Sequence, residues 1–164
     1  MAIDLDKKDV EILKTLRKDS RTPMGMIGEN NGMSKATVSR RVARMEEEGL
    51  IQKYSLKMDH EKFNIMRSMV QIQIMGAPVS MVIEGLKNIE EIRRIFKTFG
   101  DHNLICEVYT NSVDELYEMV QSKILKMPSV RNVEVDVIVG EDIMHENADL
   151  IHYENKMKEE GPWD

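Results

Sequence analysis

Four cations crowd the stretch 34–45, SKATVSRRVARM: Lys35, Arg40, Arg41 and Arg44, with no acid before Glu46. At about 100° per residue, Val38, Val42 and Met45 fall on one side of a helix. Ala36, Thr37, Arg40, Ala43 and Arg44 fall on the other. Ser34 stands where an N-cap hydroxyl would accept from an orphan backbone N–H. Such a helix can bury one face in protein and present a second that is small, hydroxylated and cationic. Guanidinium groups on that second face suit phosphates and guanine edges, and alanines let the helix backbone approach a major groove. A merely solvated basic face is the competing reading, and the elements around the stretch decide between the two.

Upstream, residues 5–19 predict a helix that buries Ile12, Leu13 and Leu16, with Leu5 at its start. Asp6 and Asp9 lie near its positive end, and Arg17 and Lys18 near its negative end, as the macrodipole favours. Thr22 and Pro23 predict the cap and first position of a second, short helix. Gly25 and Gly28 each cost that helix about 1 kcal/mol relative to Ala, so Gly28 is read as a point where another helix crosses closely. Asn30, Asn31 and Gly32 form the turn. A short helix, a glycine-containing turn and a helix with an apolar inner face make a helix-turn-helix. Gly49 closes the basic helix. Residues 50–58 read as extended, either a wing or a linker strand, and residues 59–64 as a polar hinge.

From residue 67 the apolar period changes to two. A strand ends at Gly76, Pro78 opens a helix to about residue 87, and residues 92–99 and 104–110 are strands joined by a hairpin at Gly100, Asp101, His102 and Asn103. Asn111 or Ser112 caps a helix that runs to about residue 127. Val133, Val135, Val137 and Val139 line a last strand. The order βαββαβ is the ferredoxin-like split βαβ unit. Its sheet has helices on one face only. Met69, Met75, Ile105 and Ile138 are expected on the other, and an apolar second face calls for a partner subunit. Residues 141–158 read as a helix with Met144, Ala148 and Ile151 on one side. The fold class is therefore α+β, a winged-type helix-turn-helix joined to a ferredoxin-like βαββαβ domain. Its divisions are residues 1–62, 63–140 and a helical extension, 141–164.

The net charge of −6 over 164 residues opposes nucleic-acid binding if taken alone. It is unevenly placed: residues 1–62 hold 13 Lys and Arg against 11 Asp and Glu, and the remainder 10 against 18. A local basic patch suffices for DNA, and an acidic companion domain limits indiscriminate adhesion. A single cysteine, Cys106, rules out an intrachain disulfide. The histidines, His60, His102, His145 and His152, have no metal-ligand spacing, so no metal, catalytic residue or cofactor is expected. The N-terminus lacks the pattern of a signal peptide, no run reaches the roughly 20 apolar residues of a membrane span, and the expected location is the cytoplasm.

The whole arrangement resembles the Lrp/AsnC family of bacterial and archaeal transcription regulators over residues 5 to about 140. The resemblance is carried by Leu5, Asp6, Asp9, Ile12, Leu13, Leu16, Asp19 and Arg21, by residues 33–42, by Gly49, Leu50 and Ile51, and by the hairpin at Gly100 and Asp101. It implies a second, RAM-type domain that dimerises sheet on sheet, and dimers that assemble into tetramers or octamers. It also implies an amino-acid or related effector at the hairpin between dimers, contacted by Gly100, Asp101, His102 and Asn103. The usual hairpin reads Gly-Asp-aromatic-Asp. Here Asn103 stands in place of the second acid, which removes a carboxylate suited to a ligand ammonium. Asp136 stands where many relatives have a hydroxyl residue, and Asn31 and Gly28 where Leu and Ala are common.

The expected function is a sequence-specific regulator that binds double-stranded DNA through Ser34, Lys35, Ala36, Thr37, Ser39, Arg40, Arg41 and Arg44. Arg40 and Arg44 are expected to face outward. For Arg41, at the flank, a backbone contact and an internal ion pair are equally open. Two alternatives share the fold: an enzyme resembling the sirohaem decarboxylases, and an effector-free architectural DNA-binding protein.

Overall fold

The computed structural model describes residues 3–160. The chain divides into two compact units: residues up to 56 together with those from 143 onward, and residues 57–142.

In the first unit, α1 (Lys7–Lys18) begins with a reciprocal capping box. The Asp6 carboxylate accepts from the Asp9 amide at 2.8 Å, and the Asp9 carboxylate accepts from the Asp6 amide at 3.3 Å. Two orphan donors are thereby satisfied. α2 (Met24–Asn30) starts a residue later than expected, with Pro23 at the cap. Thr22 does not cap it, because its hydroxyl donates to the Asp19 carbonyl at 2.8 Å. Gly28 is not a helix crossing point. A Cβ there would stand 2.4 Å from the Met33 carbonyl oxygen, so the close neighbour is the backbone of the following turn. That turn folds back tightly because the Met33 amide donates to the Gly28 carbonyl at 2.8 Å. α3 (Lys35–Glu47) ends at Glu48, after which Gly49 takes φ +75°, a left-handed conformation that glycine adopts without strain. Residues 52–59 hold neither helix nor strand, so a wing strand is absent among the described residues.

Leu5, Val10, Ile12, Leu16, Ile27, Val38, Val42 and Met45 form the core of this unit, and Leu150 joins them from far downstream in the chain. Leu150 belongs to α6 (Ala148–Glu160). The expected C-terminal helix thus starts later than residue 141, and its phase differs from the one read from sequence. Met144 precedes the helix and Ile151 is exposed, so neither forms the buried stripe. The contact to α1 is made by Leu150, by Tyr153, whose hydroxyl accepts from the Leu5 amide at 2.9 Å, and by two ion pairs. Lys14 lies 3.0 Å from Glu154, and Arg17 forks onto Asp149 at 2.5 and 2.8 Å.

The second unit contains β1 (Met66–Ile74), α4 (Val79–Leu86), β2 (Ile92–Lys97), β3 (Leu104–Thr110), α5 (Val113–Met119) and β4 (Val130–Val137). The sheet is antiparallel, in the order β2-β3-β1-β4. Val70 sits opposite Cys106 on one side and Val135 on the other. Ser112 caps α5, accepting from the Glu115 amide at 3.1 Å. The helix expected to run on to residue 127 is interrupted by a π turn, Val120–Ile124, where the Leu125 amide reaches back to the Val120 carbonyl. β4 stops at Val137, leaving Val139 outside the strand and exposed.

One face of the sheet packs Val70, Ile72, Leu104, Cys106 and Val108 against the helical residues Val82, Leu86, Leu116 and Met119. The opposite face is not the apolar surface expected. Met69 and Ile105 lie there, but so do Arg67, Gln71, Glu107, Tyr109, Glu134 and Asp136, as the pairing and alternation require. Met75 lies beyond the end of β1, and Ile138 beyond the end of β4.

Candidate nucleic-acid interface

α3 is fixed by what its inner side buries. Val38 and Met45 are wholly buried and Val42 nearly so, while Lys35, Ala36, Ser39, Arg40 and Ala43 are exposed. The Ser34 hydroxyl accepts from the Thr37 amide at 3.1 Å and pairs with the Thr37 hydroxyl at 2.9 Å. Thr37 is half-buried, and its hydroxyl is committed in part to the cap. The buried side matches the helical spacing in the sequence, as do the exposed Ala36, Arg40 and Ala43 of the outer side.

The cations divide into two kinds. Arg41 donates through Nη1 to Asp6 Oδ2 at 2.7 Å and to Asp9 Oδ1 at 2.9 Å. Arg44, expected to face outward, instead donates through Nη2 to Asp9 Oδ2 at 2.6 Å, and its Nε is buried. The reason is a pair of acids at the start of α1, at the same end that caps the helix. Asp9 is 1% exposed. Burial alone would raise the Asp6 carboxyl, but hydrogen bonds from the Asp9 amide and from Arg41, with the Arg41 charge, hold it below its ordinary value. The Asp9 hydrogen bond leads in pushing the Arg41 guanidinium above its own. Lys35 and Arg40 have no acidic partner among the described residues. Spacing along one helix placed Arg40 correctly, misplaced Arg44, left Arg41 open, and could not show this pairing. The one available signal was an acid, Asp9, beside the apolar residues of α1.

The hairpin residues come together between β2 and β3, and two of the four, His102 and Asn103, are already engaged. Asn103 Oδ1 accepts from the Ile74 amide at 2.7 Å, and the Asn103 amide donates to the Ile72 carbonyl at 3.0 Å. Asn103 thus replaces a charged group with one that terminates β1. The Thr98 hydroxyl hydrogen-bonds to the His102 carbonyl. His102 Nε2 lies 3.4 Å from a Glu134 oxygen. Gly100 and Asp101 are exposed.

A third polar region was not visible in the sequence. Glu107, only 3% exposed, lies on the helix-free face of the sheet, with Arg67 Nε at 2.9 Å and the Tyr109 hydroxyl donating at 3.2 Å. Arg67 also donates to Glu141 at 2.8 Å, and the two border a groove of about 630 Å³ that Lys57 and His60 share. No group of three or more potential metal ligands gathers among the described residues, and no described helix is long and apolar enough to cross a membrane.

Two family models match the chain: winged helix-turn-helix DNA-binding over residues 5–52, and Lrp/AsnC ligand binding domain over residues 67–146. The HTH-type transcriptional regulator LrpA of Pyrococcus horikoshii is 28% identical over 130 residues, covering 79% of this chain and 92% of that protein. The HTH-type transcriptional regulator FL11 of Pyrococcus furiosus is 30% identical over 115 residues, covering 69% and 74%. Among solved structures, Escherichia coli AsnC superposes with a TM-score of 0.77 at 20% identity, over 87% of this chain and 97% of that one. A Neisseria meningitidis transcriptional regulator solved with L-Met superposes at 0.81 and 18% identity, over 92% and 99%.

Proposed function

Because the chain belongs to the Lrp/AsnC family of HTH-type transcriptional regulators, we propose that it reads preferred double-stranded DNA sites as a homo-oligomer, placing paired copies of α3 in successive major grooves. Arg40 carries the reading. It is exposed, it has no acidic partner among the described residues, and it stands on a helix whose far side is locked into the core. Its guanidinium can fork onto a guanine edge, while Lys35 and Ser39 reach phosphates and Ala36 and Ala43 admit the backbone. Two-fold pairing of the heads sets half-sites about one helical turn apart. The working form is a homodimer joined through the helix-free sheet face, where Met69, Ile105 and Phe96, the β2 residue paired with Ile105, supply apolar contact, and dimers gather into tetramers or octamers. Such a regulator works in the cytoplasm.

The second domain takes a small effector. The matched ligand-binding segment contains the hairpin, and Asp101 is the exposed carboxylate there. With Asn103 spent on the Ile74 amide, a single acid faces the ligand's ammonium. Amino acids, L-Met among them, are the first compounds to try. An effector that favours one arrangement of dimers changes the spacing of the reading heads, and its coupling to DNA is reciprocal.

Selection of bound duplexes from a random library tests the DNA reading: it should return an enriched, two-fold symmetric site, and recovery of unenriched DNA would favour the architectural alternative. Light scattering with and without each amino acid tests the effector and the assembly. A concentration-dependent change in mass supports both, and an unchanged monomer contradicts both.

A further inference from the structure

The same face that binds DNA in this reading contains a device that subtracts from it. Asp9 is held at the start of α1 by the Asp6 amide and by one guanidinium on each of its oxygens, Arg41 at 2.9 Å and Arg44 at 2.6 Å. Asp6 adds a second acceptor for Arg41 at 2.7 Å. Two carboxylates thus offset two of the four cations of the basic helix. The Arg44 side chain is 41% exposed, but its Nε is buried and its Nη2 is tied to Asp9 Oδ2 at 2.6 Å.

We propose that Asp9 is a positioning and specificity-determining residue for DNA recognition. By clamping Arg41 and Arg44 it withholds them from phosphates, so that affinity for arbitrary sequence stays low and the exposed Arg40 dominates discrimination. This inference rests on the DNA reading above and adds a sign that the reading does not contain. Each phosphate neutralised by a cation releases counterions and steepens the salt dependence, while carrying no sequence information. A buried acid that occupies two arginines therefore trades general affinity for selectivity. An acid whose role is only to join α1 to α3 would do the reverse: its loss would disorder the helix and weaken all binding.

The test uses the full chain and two duplexes of about 30 base pairs, one selected and one scrambled, titrated between about 50 and 200 mM salt. Asp9→Asn keeps the size of the side chain and an acceptor for the Asp6 amide while removing the charge. The expected result is tighter binding of the scrambled duplex at low salt and a smaller ratio between the two duplexes. The slope of log K against log salt should steepen by about 0.9 for each arginine released per head. An unchanged or shallower slope, with wild type binding normally, overturns the inference and leaves the DNA reading standing. Absence of salt-dependent binding by the wild type overturns both. If Asp9→Asn lacks a cooperative unfolding transition, Arg44→Gln replaces it. An arginine withheld from phosphates by Asp9 carries no share of the salt dependence, so an unmoved slope on the scrambled duplex supports the inference, and a slope shallower by about 0.9 shows Arg44 already on a phosphate and refutes it.

Discussion

Removal of the Leu150 side chain should destabilise a DNA-reading unit that ends, in sequence, about 100 residues earlier. Leu150 is 8% exposed and lies in the same core as Leu5, Ile12 and Met45. Leu→Ala at buried sites costs about 2–5 kcal/mol. Leu150 sits at the margin of that core, where neighbours relax into part of the void, so the lower end of the range, about 2–3 kcal/mol, applies. The ion pairs beside it weigh less. In the Arg17–Asp149 fork the side chains are 33% and 68% exposed, and exposed pairs contribute at most about 1 kcal/mol. For a unit of this size each kcal/mol moves the melting temperature by about 4–8 °C. Leu150→Ala should therefore lower the transition of the first unit by about 8–24 °C, and Asp149→Ala by clearly less. Calorimetry of the full chain reads the transitions, and hydrogen exchange at the α1 amides assigns the one that moves. A shift under about 2 °C for Leu150→Ala, or a larger shift for Asp149→Ala, would refute α6 as a packed part of this unit.

Three further outcomes follow from single sites. Gly28→Ala drives a Cβ to 2.4 Å from the Met33 carbonyl oxygen, and because backbone must yield, it should cost about 1–3 kcal/mol, read by thermal unfolding; an unchanged melting temperature contradicts the contact. Burial pushes the Cys106 thiol up to about 12, so the folded protein should resist thiol reagents at pH 8 and react only as fast as it unfolds. Glu91 is held below its ordinary 4.5 first by its hydrogen bond from Lys123, against the opposing effect of burial. A depressed carboxyl adds stability that is complete above 4.5 and lost as pH falls through the folded value. The stability gap between wild type and Glu91→Gln, measured by denaturant unfolding, should accordingly close as the medium is acidified below that point, and a gap independent of pH would contradict the pairing.

What the sequence disclosed is what local spacing encodes. Val38, Val42 and Met45 recur at helical intervals, and they are the buried side of α3. Alternation from residue 67 placed β1 and its partners, because a strand with one buried face writes its period into the chain. The features that escaped join distant residues. Arg44 and Asp9 are 35 positions apart, and nothing in either segment records the pairing. The stripe read over residues 141–158 had the wrong phase, because Leu150 and not Ile151 is buried, and nothing local records that Lys14 and Arg17 of α1 pair with Glu154 and Asp149 beside it. Glu107 occupies a strand position that alternation marks only as facing away from the helices. That Arg67 and Tyr109 cover it is a property of the folded sheet. Asn103 was legible as a departure from the usual hairpin, and its role as acceptor for the Ile74 amide was not.

The most direct measurement is the affinity of the full chain and of Arg40→Ala for a duplex recovered by selection, each compared with a scrambled duplex. If Arg40 reads a base, the variant loses about 1–3 kcal/mol on the selected duplex, roughly a 5- to 150-fold weakening, and much less on the scrambled one. Equal affinity of variant and wild type for the selected site would contradict the placement of α3 in the groove.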